Sequence, residues 1–500
     1  MRISHSRRAL AVATATTLAL TALGTGAGFA ADEPESTPVP IITPDGALFS
    51  YVVNTEDTKT RDTVLAVKAI ERADGVVVQA WPQIGVIVAH SANGSFREDV
   101  VAADRVGVID SVGATRTVSP TEGTPGRDSA AGVQKNRAVE GKAKKDTTGW
   151  TVDEPSTTAA VPDPGEATQW DMAMIKADQS LAINPGSSDV VVGVLDSGIE
   201  ASHPDLATQV DADRSVNCTD GGRPDMSATG WLPTTSDHGT HVAGTIAAAQ
   251  NGVGIVGVAP GVKMASVKVV NDDGYIYPEY AICGFVWAGM NRMDVTNNSY
   301  YIDPFMYWCE DQPDQYAAKE AVRRAVDFST KRGVVHAAAA GNAATDLANN
   351  TRDTASPNDS TAVDRVINSG CEDIPTELDG VVTVSSLTQS TDLSSFSNRG
   401  LGKIDVAAPG SAILSTELDG TWDHKSGTSM ASPHVAGVLA LLKSAHPDWT
   451  PAQLEAAVRT QADDHECTTT TRGPACVGEL AENSFYGDGI ADALDAVTVG

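Results

Sequence analysis

The sequence predicts an α/β protein with a parallel β-sheet flanked by helices, preceded by a small α+β domain. The main evidence is an alternation of strand and helix patterns after Trp170. Residues 190–195 and 333–340 are nearly continuous apolar or small-residue runs, as expected for parallel strands buried on both faces. Helical patterns lie between them, at 240–249, 281–290 and 315–331. In such sheets the functional groups gather beyond the carboxyl ends of the strands.

The small domain covers residues 47–118 and has its own pattern of strands and helices. Strands are expected at 51–53, 76–78, 85–88 and 108–112, and a helix at 63–73. From residue 120 to Trp170 the composition changes to Thr, Gly, Lys, Glu and Pro, which is typical of a flexible linker. Alone, this domain could be a binding module. Its place between an export signal and a linker indicates a prodomain.

The first thirty residues have the pattern of an export signal. Arg2, Arg7 and Arg8 precede an apolar run at 9–23, and the small residue Ala30 lies at a cleavage point. We find no later apolar stretch of the ~20 residues that a membrane-spanning helix needs. We therefore expect a secreted, extracellular protein without a membrane anchor.

The net charge of the chain limits the classes of molecule that it can bind. It has 65 acidic and 35 basic residues, a formal net charge of −30. Such a charge repels nucleic acid phosphates and anionic membranes, so we expect no nucleic-acid partner. We also expect a monomer.

Six cysteines follow residue 200, and an even number in an exported chain favours disulfides over metal ligation. Fifteen pairings are possible. Cys467 with Cys476 is preferred because the two close a short Thr-rich loop. The pairs Cys309 with Cys371 and Cys218 with Cys283 would then follow, and no spacing resembles a zinc motif.

Three motifs carry the chemistry. The first, VVGVLDSG at residues 191–198, places Asp196 at the carboxyl end of a buried strand. A buried carboxylate needs a hydrogen-bonding partner. Taken alone, an Asp followed by Gly198 is more often a turn former.

The second motif, DHGTHVAG at residues 237–244, places His238 at the start of a helix. His238 and His241 could suggest a zinc site, but zinc-binding helices of the HExxH kind space their ligands at i and i+4 with an intervening Glu. That Glu is missing here. We therefore interpret His241 as structural, held against its own helix or a neighbouring loop.

The third motif, GTSMASPHVAG at residues 427–437, places Ser429 at or near a helix start. Unpaired N–H groups and a partial positive charge at that end suit a developing oxyanion. Pro433 removes an N–H close to the start, at modest cost. A simple helix-capping serine would also explain Ser429 alone.

Together the motifs follow the chain order Asp, His, Ser, which is the order of the subtilisin triad. From about Trp170 onward the chain resembles the subtilisin-like serine peptidases. The resemblance implies a subtilisin-like parallel sheet, and a ferredoxin-like inhibitory propeptide upstream. It divides the chain into a signal peptide (1–30), a propeptide domain (31–119), a linker with the maturation cleavage (120–165) and a peptidase domain (166–500).

The resemblance implies a secreted endopeptidase that is made as an autoprocessed zymogen and hydrolyses protein or peptide substrates through an acyl-enzyme. Ser429 would be the nucleophile, activated by His238, which Asp196 orients. This needs His238 within hydrogen-bond reach of Ser429. Asn342, in the run AAAAGN at 337–342, would be the oxyanion donor, although it could also be a turn residue. No cofactor is required for this chemistry, and a structural calcium ion is allowed without assigned ligands.

The resemblance also implies that an extended substrate pairs with edges near Gly274 and Ser299, with Gly341 and Tyr301 at the cleft. Where many relatives have Ser-Leu-Gly, this chain has Ser299-Tyr300-Tyr301, so a bulky ring would replace a glycine in the cleft wall. The acidic pair Glu372 and Asp373 could favour a basic substrate residue. We expect it instead to be a solvated acidic loop.

Two alternatives remain open at this point. One is a catalytically inactive relative that binds other molecules through the same fold. The other is a dedicated processing protease with one peptide substrate.

Overall fold

The computed structural model describes residues 34–123, 162–467 and 473–498. The predicted export signal and most of the predicted linker lie outside these ranges. The described residues form a small antiparallel sheet with two helices and a large, mainly parallel sheet with helices on both faces.

The small sheet has the ferredoxin-like βαββαβ order, and its strands are arranged β2-β3-β1-β4. All its pairings are antiparallel. The elements in chain order are β1 (Phe49–Thr55), α1 (Thr60–Arg72), β2 (Gly75–Trp81), β3 (Val86–Ser91), α2 (Phe96–Ala103) and β4 (Ile109–Ala114).

Every residue of β1 and β3 is buried, whereas an antiparallel sheet with one wet face would alternate. One face is covered by α1 and α2. The other lies on two helices of the large domain, where Asn54 Nδ2 donates to the Ala317 carbonyl at 2.8 Å and Ser50 Oγ donates to Glu279 Oε1 at 2.8 Å. The two domains therefore bury one common apolar core.

The large sheet has eight strands. In chain order these are β5 (Val191–Asp196), β6 (Val216–Asp220), β7 (Arg223–Asp225), β8 (Lys263–Lys268), β9 (Val295–Asn298), β10 (Val335–Ala339), β11 (Val381–Leu387) and β12 (Val406–Pro409). Their spatial order is β12-β11-β10-β9-β5-β8-β6-β7, and only the β6–β7 pair is antiparallel. A hairpin of β13 (Ile413–Glu417) and β14 (Thr421–Lys425) lies beside the sheet.

The helices of the large domain cover both faces of this sheet. They are α3 (Trp170–Met174), α4 (Ala177–Ser180), α5 (His238–Ala247), α6 (Pro278–Met290), α7 (Pro313–Lys331), α8 (Thr428–Ala445), α9 (Pro451–Thr460) and α10 (Asp495–Thr498). Helices α6 and α7 pack on one face together with the small domain, and α5, α8 and α9 pack on the other. Two-residue ladders pair Trp308–Cys309 with Cys371–Glu372, Arg352–Asp353 with Arg365–Val366, and Gly478–Glu479 with Glu482–Asn483.

The structure confirms the predicted α/β fold class, and the predicted elements differ from the observed ones by a few residues at their ends. Helix α5 begins at His238 rather than 240, and α6 begins at Pro278 rather than 281. Proline at the first helical position explains the earlier start of α6, because its missing N–H has no partner there in any case.

The cysteines form three disulfides, Cys218–Cys283, Cys309–Cys371 and Cys467–Cys476. These are the pairs expected from the sequence. The first joins β6 to α6, and the second joins the two strands of a short ladder.

Candidate active site

Asp196 and His238 meet at the carboxyl edge of the large sheet. Asp196 is the last residue of β5 and only 2% exposed, and His238 is the first residue of α5. Nδ1 of His238 lies 3.0 Å and 2.9 Å from the two carboxylate oxygens of Asp196. The contact places a proton on Nδ1 and leaves Nε2 as the basic nitrogen.

Ser429 is the second residue of α8, as predicted, and is paired with Ser299. Its Oγ donates to the Ser299 carbonyl at 3.2 Å, while Ser299 Oγ donates to the Ser429 carbonyl at 2.8 Å. Among the described residues no hydrogen bond joins Ser429 to His238. The hydroxyl therefore occupies a resting position, and hydrogen bonds of this kind are often long or absent without substrate.

Pro433 explains why the Ser429 carbonyl is available to Ser299. In a helix this carbonyl would accept from the N–H four residues later, which is the N–H that Pro433 lacks. Pro433 is the sixth residue of α8 rather than part of its first turn. Its cost is offset by the hydroxyl of Ser299, which replaces the missing donor.

Asn342 follows β10 and contacts the start of α8. Its Oδ1 accepts from the Thr428 backbone N–H at 2.8 Å and from Thr428 Oγ at 2.9 Å. Because both donors fix the amide oxygen, Nδ2 points away from Thr428, and a Cβ on Gly427 would lie 3.4 Å from it. Within the described chain Nδ2 has no hydrogen-bond acceptor, so it is a free donor beside Ser429.

Two opposing effects set the charge of His238. Burial disfavours the imidazolium, but the charge of Asp196 and its hydrogen bond outweigh burial and raise the pKa of His238 above 6.5. The positive charge of Lys425 acts in the opposite direction to Asp196. Lys425 Nζ lies 3.1 Å from carboxylate oxygens of both Asp237 and Glu417.

Asp237 and Glu417 form an acidic pair behind the histidine. Burial raises the pKa of Glu417 to about 8. Although burial also acts on Asp237, a hydrogen bond from Glu417 and the charge of Lys425 lower its pKa to about 2. Glu417 is therefore the member of the pair that is easier to protonate. Sequence analysis missed these groups because Lys425 and Glu417 lie on the β13–β14 hairpin, far from His238 in the chain.

His241 is fully buried, and its Nε2 lies 3.1 Å from the Ile413 carbonyl on β13. Burial lowers its pKa well below the usual value, so it is neutral. This agrees with the structural role expected from the sequence.

The expected substrate-binding residues lie around this edge. Gly274 has φ +89° in the turn after β8 and open space where a Cβ would point. Gly341 has φ +98°, and its N–H donates to Thr428 Oγ at 3.1 Å. Tyr301 follows the buried Ser299, and its hydroxyl accepts from Asn358 Nδ2 at 2.8 Å. The Ile276 and Asp303 backbones pair at 2.8 Å, which brings the 274 and 299 segments together.

The expectation of a solvated acidic loop at Glu372 and Asp373 is wrong. Asp373 is only 2% exposed, and Glu372 pairs with Lys319 at 2.7 Å. The Cys309–Cys371 disulfide and the short ladder beside it hold this segment against the domain. Neither constraint could be inferred from the local acidic sequence.

Two buried carboxylates, Asp205 and Asp163, lie away from the triad. Asp205 is fully buried, and its Oδ2 accepts from the Ile255 N–H at 3.1 Å and Trp422 Nε1 at 2.8 Å. Its Oδ1 has no hydrogen-bond partner within the described ranges. Asp163 lies nearby, with its carboxylate against the N–H groups of Asn251 and Gly252.

Several known proteins are similar to this chain in sequence. Residues 187–489 match the model of the subtilase family. Subtilisin E of Bacillus subtilis (strain 168) is 34% identical over 321 residues, covering 64% of this chain and 68% of that protein. A subtilisin of Bacillus pumilus is 34% identical over 331 residues, covering 66% of this chain and 99% of its own length.

Solved structures share the fold at lower identity. The epidermin leader peptide processing serine protease of Staphylococcus aureus matches with a TM-score of 0.65 and 21% identity, over 90% of this chain and 98% of that one. Fervidolysin of Fervidobacterium pennivorans, a keratinolytic enzyme related to subtilisin, matches with a TM-score of 0.61 and 24% identity, over 94% of this chain and 65% of that one.

Proposed function

This chain belongs to the subtilase family and is a serine endopeptidase, and we propose that Asp196, His238 and Ser429 form its catalytic triad. The observation that carries the assignment is the double contact of Asp196 with His238 Nδ1 at 2.9 and 3.0 Å, beside a serine in the first turn of α8. Protein or peptide chains are its substrates.

In the proposed reaction the Ser429 hydroxyl leaves the Ser299 carbonyl and turns to His238 Nε2. His238 takes the hydroxyl proton as Oγ attacks the substrate carbonyl carbon, and Asp196 stabilises the imidazolium. The tetrahedral intermediate collapses when His238 gives that proton to the leaving amine, which leaves an acyl-enzyme. His238 then takes a proton from the water that attacks the ester, and it gives that proton to Ser429 Oγ as the Oγ–C bond breaks and the carboxyl product leaves.

Asn342 is proposed to stabilise the negative oxygen of each tetrahedral intermediate. Its Nδ2 is held for this task because Thr428 occupies the amide oxygen. The Ser429 N–H lies in the first helical turn, where backbone donors have no intrahelical acceptor, and is the second donor.

We propose that the small domain is an inhibitory propeptide and that the enzyme is exported as a zymogen. The disulfides support export. The small domain is anchored on α6 and α7 by buried charges: Arg116 pairs with Glu279 and packs 3.8 Å from the centre of the Tyr277 ring. Asp314 Oδ1 accepts from the Ala114 N–H and from Arg97, both at 2.9 Å.

We further propose that Asp163, Asp205 and the loop at 249–256 hold a structural calcium ion. The described residues supply no cation to these two neighbouring buried carboxylates, and one carboxylate oxygen has no partner among them. Such groups fit the oxygen ligands that calcium prefers. The ion would stabilise the fold and take no part in peptide hydrolysis.

The triad and the zymogen are tested together with a Ser429→Ala variant of the full chain. Wild-type precursor, purified without other proteases, should shorten to the mature enzyme and react at Ser429 with a fluorophosphonate. The variant should stay full length and unlabelled. Maturation of the Ala variant would overturn the triad, and absence of labelling in processed wild type would favour an inactive binding relative.

The breadth of specificity separates a general protease from a dedicated processing enzyme. We propose a general protease, and the test is the cleavage of a diverse peptide library. Cleavage of one motif alone would instead support a processing role.

A further inference from the structure

Asp373 is a buried carboxyl group to which the described chain supplies no cation. It follows the disulfide-bonded Cys371 and precedes Ile374, whose carbonyl accepts from the Ile302 N–H at 3.0 Å. Its side chain is 2% exposed, and Oδ1 has no hydrogen-bond partner among the described residues. An unpaired buried charge is costly, so this group needs an explanation.

The charges around Asp373 are negative, and the nearby cations are already paired. Glu377 Oε2 accepts from the Asp373 N–H at 2.8 Å and Glu377 pairs with Lys403 at 2.7 Å. Asp353 pairs with Arg365 at 2.6 Å. Burial, followed by the charges of Glu377 and Asp353, raises the pKa of Asp373 well above its usual value. Burial and the neighbouring carboxylates therefore disfavour an unpaired charge on Asp373.

The position of Asp373 connects it to the reaction centre. Its Oδ2 lies 3.5 Å from the point where a Cβ on Gly341 would be. Gly341 immediately precedes Asn342 and is tied to Thr428, the residue before Ser429. The segment after Ser299 is also held next to Asp373, since the Ile302 N–H donates to the carbonyl of Ile374. A substrate side chain entering between Gly341 and Tyr301 would thus reach Asp373.

Building on the proposed function, we propose that Asp373 forms the floor of the pocket for the substrate residue on the acyl side of the cleaved bond, and that it selects lysine or arginine there. Glycine at 341 allows the backbone to lie close to Asp373, because a Cβ there would meet Asn398 Nδ2 at 2.5 Å. The Tyr301 ring would provide an apolar wall for the aliphatic part of a long basic side chain.

Selection of a basic substrate side chain follows from its ion pair with the buried Asp373. An incoming ammonium or guanidinium group supplies the missing cation, so Asp373 ionises and forms a charge-assisted hydrogen bond. An apolar side chain leaves the carboxyl protonated and its Oδ1 unpaired. An acidic side chain meets Asp373, Glu377 and Asp353 together and is repelled.

The test compares peptides that differ only in the acyl-side residue: Arg, Lys, Leu, Phe or Glu. The enzyme is the mature product of the full-length precursor, and its active molecules are counted by labelling with a fluorophosphonate. Wild type should cleave the Arg and Lys peptides at least about 30-fold faster in kcat/KM than the Leu peptide, as expected for a buried charge pair. The variant Asp373→Asn, which keeps the shape, should lose this preference through a fall in kcat/KM for the Arg and Lys peptides.

Glu372→Gln is the matched control, because it removes the neighbouring acid that already pairs with Lys319. It should retain the preference. If Asp373→Asn does not fold, peptide aldehydes ending in Arg or Leu are compared as inhibitors of wild type, and Arg should bind at least about 30-fold tighter. Equal cleavage or inhibition in labelled wild type, or an unchanged preference in Asp373→Asn, would overturn the assignment of Asp373. Failure of labelling would instead overturn the proposed triad.

Discussion

The proposed nucleophile, Ser429, is positioned by a hydrogen bond that its helix cannot make. Because Pro433 has no N–H, the Ser429 carbonyl is available to Ser299, and the two serines exchange hydrogen bonds across the cleft. Ser299 thereby couples the start of α8 to the end of β9. A proline in a helix can thus be read as a constraint on the residue four positions earlier.

At the residue scale, Asn342→Ala should reduce kcat by about 10²–10³-fold with little change in KM, because the donor acts on charge that develops in the transition state. This magnitude was established on the equivalent donor of a subtilisin. Steady-state kinetics on one peptide would measure it. Thr428→Val is the control, since it removes a hydroxyl contact to Asn342 and keeps the backbone N–H; a loss in this variant as large as in Asn342→Ala would contradict the role.

The acidic limb of the pH profile should respond to Lys425. His238 must be neutral to accept the serine proton, so kcat/KM falls as pH drops through its raised pKa. Lys425→Met removes a positive charge that lowers this pKa, so the limb should move to higher pH, by roughly 0.3–1 unit.

Lys443→Met removes the same charge from the other end of the sheet, beside Asp294, and should leave the pH profile unchanged. A shift of the limb to lower pH in Lys425→Met would show that Lys425 does not act on His238 through its charge.

The positions of residues in local motifs could be predicted from the sequence, and the burial of residues that depends on chain topology could not. Asp196, His238, Ser429 and Asn342 each lie at the end of a strand or start of a helix with a distinctive pattern. Asp373 was misassigned, because its burial depends on a disulfide and a ladder to a segment about sixty residues away.

At the scale of elements, burial of every residue in β1 and β3 indicates that a second domain covers one face of the small sheet. The apolar runs of β1 and β3 identify strands correctly, but they do not tell which neighbour covers the second face. That face is covered by α6 and α7, so the small domain cannot leave without exposing apolar strand surface. Inhibition and folding assistance are thus expected of the same surface.

The calcium site proposed at the 249–256 loop predicts that metal removal lowers the stability of the protein. Calcium at a hundredfold excess over Kd should increase the free energy of unfolding of the full-length Ser429→Ala protein by about 2.7 kcal/mol and so raise its unfolding temperature. Chelation should reverse this. Asp205→Asn should abolish the response. Asp189→Asn, which removes an exposed carboxylate, should retain it. An unfolding temperature that does not change when calcium is added would contradict the proposed site.

At the scale of the whole molecule, the proposed zymogen makes the chain both enzyme and substrate. The cleavage that releases the small domain is expected between Pro120 and Trp170. This part of the sequence has six basic residues, Arg127, Lys135, Arg137, Lys142, Lys144 and Lys145, and no lysine or arginine from 146 to 175. The distribution of basic residues therefore restricts where an enzyme selective for them can cut itself.

If Asp373 selects basic residues, self-maturation should create an N-terminus between Asp128 and Asp146. Intact mass and N-terminal sequencing of the product from purified wild-type precursor would locate it. Replacing the six basic residues by Gln should slow maturation, because a protonated Asp373 gains no ion pair from a neutral side chain. The same changes should leave the kcat/KM of the matured enzyme for an Arg peptide unaltered. An N-terminus between 147 and 170 in a precursor that matures only with Ser429 intact would show that the triad works but that Asp373 does not choose the bond.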